Sequence, residues 1–229
     1  MDFLLLGREL PTFELRIAAG KPPWLRCAQN ALVRLRKGWH GRLETLRWLD
    51  VLLEDVEAEA LYTAYYMGMQ RFADLIGKEY PIQLTFFERF VKWQENQFVI
   101  PSRCTRDFEA LLQQPALLPF VWMNWMPGAM SGLPLAPTAP FRVDFVLIVD
   151  NRRLVIALDD LTDFTAYELD PHLQGVGRRL CPERFTRHLR QDRWLRRDNW
   201  EVFRFSHQEV ETERIGVLIA DLGLGGDEG

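Results

Sequence analysis

The sequence predicts an α+β chain, with a helical domain over residues 1–100 and an α/β domain with a mixed central sheet over residues 101–229. Three observations predict it. Apolar residues recur at helical spacing from Trp24 to Gln97, and two β-branched runs flank a polar turn between Phe141 and Asp160. A further helical pattern then separates that pair from the alternating strand Trp200–Phe205.

In chain order, Phe3–Leu6 and Phe13–Ile17 read as short strands or irregular runs on either side of Pro11. Lys21-Pro-Pro-Trp24 opens a helix to about Lys37, since Pro is tolerated in a first turn and Leu25, Ala28, Leu32 and Leu35 recur behind it. From Arg42 to Ile76 the pattern is helical, with Leu46, Leu49, Leu53, Val56, Ala60 and Leu61 opposite the acidic Glu54, Asp55, Glu57 and Glu59. That span is longer than the ~20 residues of an ordinary helix, so a break is expected near Gly68. Tyr62, Tyr65, Tyr66 and Phe72, beside Met67 and Met69, read as core in preference to a base-stacking platform. Pro81 opens a helix carrying Phe86, Phe90 and Trp93 to about Gln97, and Phe98-Val-Ile-Pro101 is extended because a residue before Pro avoids the helical region. The domain boundary is placed there.

Beyond it, Arg106–Gln114 reads as a short helix bearing Glu109, and Leu117–Trp125 as an apolar strand. Pro127–Pro140 holds four Pro and two Gly and is a loop. Leu161–Cys181 lacks periodicity and reads as irregular; its Asp163, Glu168, Asp170 and His172 show no metal-ligand spacing. A helix follows from Pro182 to about Asp198, on which Phe185, Leu189, Asp192 and Leu195 share an inward face while Arg190, Arg193 and Arg197 gather opposite. Asp192 thus needs a buried partner, such as Arg204 on the polar side of the next strand or a backbone donor. Glu211–Leu222 is a last helix.

The paired runs Phe141–Val149 and Leu154–Asp159 are predicted to be adjacent, central strands. Asp is depleted from strand interiors, so Asp144 needs a reason to be there. Asp144 and Asp159 are expected to converge at an accessible end of the sheet with the methyl of Ala157 between them. Two such carboxylates repel unless a cation lies between them, and hard oxygen donors suit Mg²⁺ or Mn²⁺. The bland reading, in which Asp159 and Asp160 only cap a strand, stands beside this one.

Arg142-Val-Asp-Phe-Val-Leu, a polar turn, Leu154-Val-Ile-Ala-Leu-Asp-Asp160, then Asp192-Arg-Trp-Leu and Trp200-Glu-Val-Phe-Arg-Phe205 together resemble the PD-(D/E)XK, or restriction-endonuclease-like, nuclease superfamily. The branch most similar is that of very-short-patch-repair-like endonucleases. The resemblance covers about Arg103 to Val210. It implies a metal-dependent hydrolase acting on DNA, a site at Asp144, Ala157 and Asp159, and Glu109 as a third metal-framing carboxylate. The sequence departs from the pattern where the family's metal-binding Glu falls on Ala157 and its downstream His falls near Asp163. Two accounts fit Ala157: a naturally degenerate nuclease fold, or a substitution that disables the site. Either way the sequence as written predicts little or no cleavage.

The chain carries a net charge of −4, but Arg178–Arg197 holds eight Arg against Glu183 and Asp192, a local +6 that leaves −10 elsewhere. Arg178, Arg179, Arg190, Arg193 and Arg197 are therefore the candidate phosphate contacts. Cys27, Cys104 and Cys181 are scattered, which predicts a reducing, cytoplasmic setting, and no apolar run is long enough to span a membrane. Three functions remain open at this stage: a DNA-directed nuclease, a non-catalytic nuclease fold that binds DNA or a protein partner through the helical domain, and a structural or regulatory subunit.

Overall fold

The structure is a computed structural model that describes residues 3–9, 13–16, 24–27, 31–34, 45–52, 61–100, 105–124, 139–170 and 175–224. Strands β1 (Phe3–Leu6), β2 (Phe13–Arg16), β3 (Trp24–Cys27) and β4 (Ala31–Arg34) come first, followed by helices α1 (Trp48–Leu52), α2 (Leu61–Ile76) and α3 (Pro81–Gln97). Short strands β5 (Val99–Ile100) and β6 (Thr105–Arg106), helix α4 (Phe108–Leu112), and strands β7 (Leu118–Met123), β8 (Phe141–Val149) and β9 (Arg152–Asp159) come next. Helix α5 (Leu161–Phe164) leads into the ribbon of β10 (Thr165–Asp170) and β11 (Gly175–Leu180). Helix α6 (Pro182–Arg197), strand β12 (Glu201–Ser206) and helices α7 (His207–Thr212) and α8 (Ile215–Asp221) complete the order.

The central sheet is mixed, in the order β12-β9-β8-β7-β1-β4, with β12 parallel to β9 and the other neighbours antiparallel. The β-branched runs of β8 and β9 are interior strands, which explains their near-continuous apolar character. A two-residue loop joins them. Asp150 and Asn151 both take positive φ, 49° and 65°, the left-handed pair that a tight hairpin matching strand twist requires. Asn and Asp tolerate that region better than other non-glycine residues.

The helix expected from Lys21 to Lys37 is not formed where the chain is described. Trp24–Cys27 pairs with β2, and Ala31–Arg34 pairs with β1 through Leu4↔Val33 and Leu5↔Leu32. Four-residue apolar runs fit either period, and a sheet edge decided between them. Helix α2 runs through Gly68 without the expected break; a Cβ there would stand 2.3 Å from Leu52 Cδ2, so glycine lets α1 approach α2. Where it is described, Leu161–Cys181 is not irregular, because Asp160 and Asp163 form a capping box on α5 and Thr165–Asp170 pairs with Gly175–Leu180. A ribbon carrying Glu168, Arg178 and Arg179 leaves no apolar alternation to read. The last helix is two, α7 being opened by the Ser206–Glu209 capping box. The acidic face over 54–59, the loop 127–138, His40, Cys104 and His172 lie outside the described residues.

The residues before 100 share their core with the sheet. Phe86 of α3 packs 5.3 Å from the Phe145 ring and 6.3 Å from that of Phe205, and β1 and β4 extend the sheet itself. Trp48, fully buried, donates its indole N–H to Gln94 Oε1 at 2.8 Å, and Gln94 donates in turn to the Pro115 carbonyl. Among the described residues, then, the helices before residue 100 and the strands after it close one core. Tyr65 and Phe72 are buried there, while Tyr62 is exposed and packs edge-on to Phe108. No described helix is long and apolar enough to cross a membrane.

Candidate functional site

Side chains in register on neighbouring strands share a face, and this rule lines up the site. Arg204 of β12 is paired with Ala157 of β9. On the other side, the β8·β9 ladder runs to Phe145↔Ile156, which sets Asp144 one step further on, opposite Ala157. Asp144, Ala157 and Arg204 thus stand in a row across three strands. They open into a cavity of about 530 Å³ that Asp159, Asp163, Gln83, His188, Asp192 and His207 also line.

Arg204 fastens two elements. Its Nη1 donates to both oxygens of Asp159 at 2.7 and 2.8 Å, while Nη2 and Nε donate to Asp192 at 2.6 and 3.2 Å. Asp192 is the one buried carboxylate of α6, so the guanidinium ties that helix to the sheet. Burial alone would lower the Arg204 pKa; the hydrogen bonds to Asp192 and Asp159 outweigh it and hold the group above its ordinary value. The small Ala157 leaves room for the guanidinium to reach along β9 to Asp159.

Asp144 has no such cation. Its Oδ2 accepts from the Leu158 backbone N–H at 2.8 Å and its Oδ1 from the Gln83 amide at 3.3 Å. Burial pushes its carboxyl up to about 6, against the opposing pull of the Leu158 N–H, the Arg142 charge and Gln83. Arg142 donates to the Arg8 carbonyl and lies over the Phe120 ring at 4.0 Å. Phe120, across from Asp144 on β7, has φ 51°, and the β7·β8 ladder skips it. A buried residue held in the left-handed region beside a partly buried carboxylate marks the strained corner of this sheet.

Two histidines complete the wall. The His188 pKa is lowered, by burial first and by the Arg204 charge next. The Nε2 of His207 is shielded from solvent and has no hydrogen-bond partner. Asp160 and Asp163 are occupied with capping α5: the Asp160 N–H donates to Asp163 Oδ2 at 2.7 Å, and Asp160 accepts from Leu161 N–H and the Thr162 hydroxyl.

Of the residues expected to form the site, Asp144, Ala157, Asp159, Asp192 and Arg204 line one cavity. Glu109 does not; it is exposed in the first turn of α4. Arg190, Arg193 and Arg197 are exposed on α6, and Arg178 and Arg179 are exposed on β11. The shared inward face expected for Phe185, Leu189, Asp192 and Leu195 is only half realised. Asp192 and Leu195 are buried, but Phe185 and Leu189 are 46% and 41% exposed. The first half of α6 rests on α5, with Phe185 edge-on to Phe164, and this contact leaves both side chains partly open. Gln83, His188 and His207 were not foreseen. Gln83 reads as one polar residue in a helix, and the two histidines sit at no recognisable spacing.

These donors do not fit Mg²⁺ or Mn²⁺. Asp159 is held through both oxygens by Arg204, Asp144 is held through both by neutral donors, and Ala157 offers none. Among the described residues no group of three or more His, Cys, Asp or Glu is placed to hold a metal ion. Comparison of the chain with protein-family models, with curated proteins and with solved structures finds no match in any of the three.

Proposed function

We propose that this chain is a nuclease-like module that binds nucleic acid through the phosphate backbone and, with Ala157 in place, does not hydrolyse it. The observation that carries this reading is the Arg204 clamp, in which a guanidinium occupies both oxygens of Asp159, one of the two carboxylates that metal-assisted hydrolysis would need. Two further features support it. The motifs on which the nuclease resemblance rests fall on β8, β9, α6 and β12, with β12 parallel to β9. The guanidinium groups of Arg187, Arg190, Arg193, Arg196 and Arg197 are exposed and make no ion pair with a described residue.

The test is fluorescence anisotropy with labelled oligonucleotides across a salt series, beside a gel cleavage assay in Mn²⁺. Affinity is expected to fall steeply with salt, no product is expected, and Arg190→Ala or Arg193→Ala should weaken binding similarly for unrelated sequences while lowering the salt slope by about one each. Unchanged affinity in the Arg190→Ala, Arg193→Ala double variant, with loss of stability or of an oligomer, would assign these arginines to protein contacts. Cleavage by the unaltered chain would overturn the non-catalytic half.

A further inference from the structure

The exposed side of α6 is not uniformly basic. Residues four apart stand one turn above another along a helix, each step advancing about 6 Å. Phe185, Leu189, Arg193 and Arg197 are such a series, and all four are exposed. They form one ridge about 18 Å long, apolar in its first half and cationic in its second. Arg190 and Arg196 flank the basic half. Two more exposed apolar side chains sit on the elements that adjoin the start of α6, Leu161 of α5 at 68% and Leu180, two residues before the helix at the end of β11, at 60%. Arg178 and Arg179 precede Leu180 on the same strand.

A basic face built only to follow a duplex backbone has no use for an exposed phenyl ring and three exposed leucines, because a duplex presents phosphates outward and keeps the faces of its bases stacked inside. A single strand presents both, phosphates for guanidinium groups and flat, apolar base faces for aromatic and aliphatic side chains. We propose that the strand taken by this face is single-stranded, its bases resting on Phe185 and Leu189 and its phosphates held by Arg190, Arg193 and Arg197. This rests on the nucleic-acid reading above and specifies its substrate. The charge of the ridge selects the occupant: a polyanion with apolar faces complements both halves, whereas an apolar protein surface would leave the guanidinium half unmatched.

The experiment compares a single-stranded oligonucleotide with the duplex of the same sequence, by anisotropy at fixed salt, for the full chain and for Phe185→Ala, Leu189→Ser and Arg190→Ala. The single strand is expected to bind more tightly, and Phe185→Ala to weaken it by at least about fivefold while leaving duplex affinity unchanged. Arg190→Ala should weaken both. Phe185→Trp, which keeps a stacking surface, should retain single-strand affinity, and equal thermal unfolding of the variants excludes misfolding. Duplex binding at least as tight as single-strand binding, or no response to Phe185→Ala, overturns this inference while leaving the nucleic-acid reading intact. No binding to either form removes that reading as well. Co-sedimentation with anionic phospholipid vesicles, or a self-association lost in Phe185→Ala, with single-strand affinity unmoved, assigns the ridge to a membrane or a second copy and likewise overturns it.

Discussion

Asp159 and Asp144 line the same cavity on neighbouring strands, yet one is held by a guanidinium and the other by neutral donors alone. At Asp159 the last strand delivers Arg204, which also reaches Asp192, so two carboxylates and two elements are secured by one cation. At Asp144 the nearest help is a backbone N–H and an amide, and burial raises its pKa to about 6, so that it keeps its proton to a higher pH than an exposed Asp does. A partly buried acid can be accommodated by pairing with a cation or by a raised pKa, and this sheet shows both within one cavity. The first makes structure from charge; the second leaves a carboxyl poised near neutral pH.

The comparison is broken most severely by Arg204→Ala. It strands Asp159 and Asp192, which are 16% and 13% exposed at their side chains, and should cost about 3 kcal/mol, toward the lower end for a buried pair that loses one member. Urea unfolding at pH 7 measures it. Asp144→Asn should act in the opposite direction. The folded pKa of about 6 lies above the ordinary 3.8, so the protonated form is the stabilised one; its contribution is complete below about pH 4 and is lost as pH rises through 6. An Asn mimics that form and can still accept from Leu158 and donate to a turned Gln83. The variant should therefore be more stable than the parent by up to roughly 3 kcal/mol at pH 7, with the gap closing toward pH 4. Unfolding curves across that range check it.

A third variant sharpens the contrast. Ala157→Glu sets a carboxylate between Asp144 and Arg204, where it should take a share of the guanidinium and raise the Asp144 pKa further by like-charge repulsion, at a cost of about 1–2 kcal/mol. A carboxyl-detected NMR titration reports the shift, and isothermal calorimetry with Mn²⁺ shows whether the added donor creates a cation site. The smallest effect belongs to Glu201→Gln. Its bridge to Arg152 is 2.7 Å long but 45% and 33% exposed, so the loss should stay below about 1 kcal/mol and shrink with salt.

The interior strands and the α6–β12 unit were legible because burial on two faces writes itself into sequence as unbroken apolar runs, with charge intruding only where something holds it. Asp144 and Asp159 stood out for that reason, and Asp192 pointed to its need for a partner through helical spacing. The short N-terminal strands were not legible: Ala31–Arg34 fits a helix as well as a strand until β1 lies beside it. Phe185 and Leu189 misled in a different way. Periodicity reports which residues share a face, but not how far the neighbouring sheet extends beneath it. Gln83 gave no signal at all, since its role exists only once α3 crosses β8.

The two-residue loop at Asp150 and Asn151 acts as a ruler for a site six residues away, about 20 Å along the strand. Because side chains alternate with a period of two, one residue inserted there and taken up as a register slip of β8 would carry Asp144 to the far face of the sheet, away from the Leu158 N–H and from Gln83. Length change at this turn should therefore be far less tolerated than substitution. A deletion scan through the hairpin tip would show a site erased from a distance, with every one of its own residues still present.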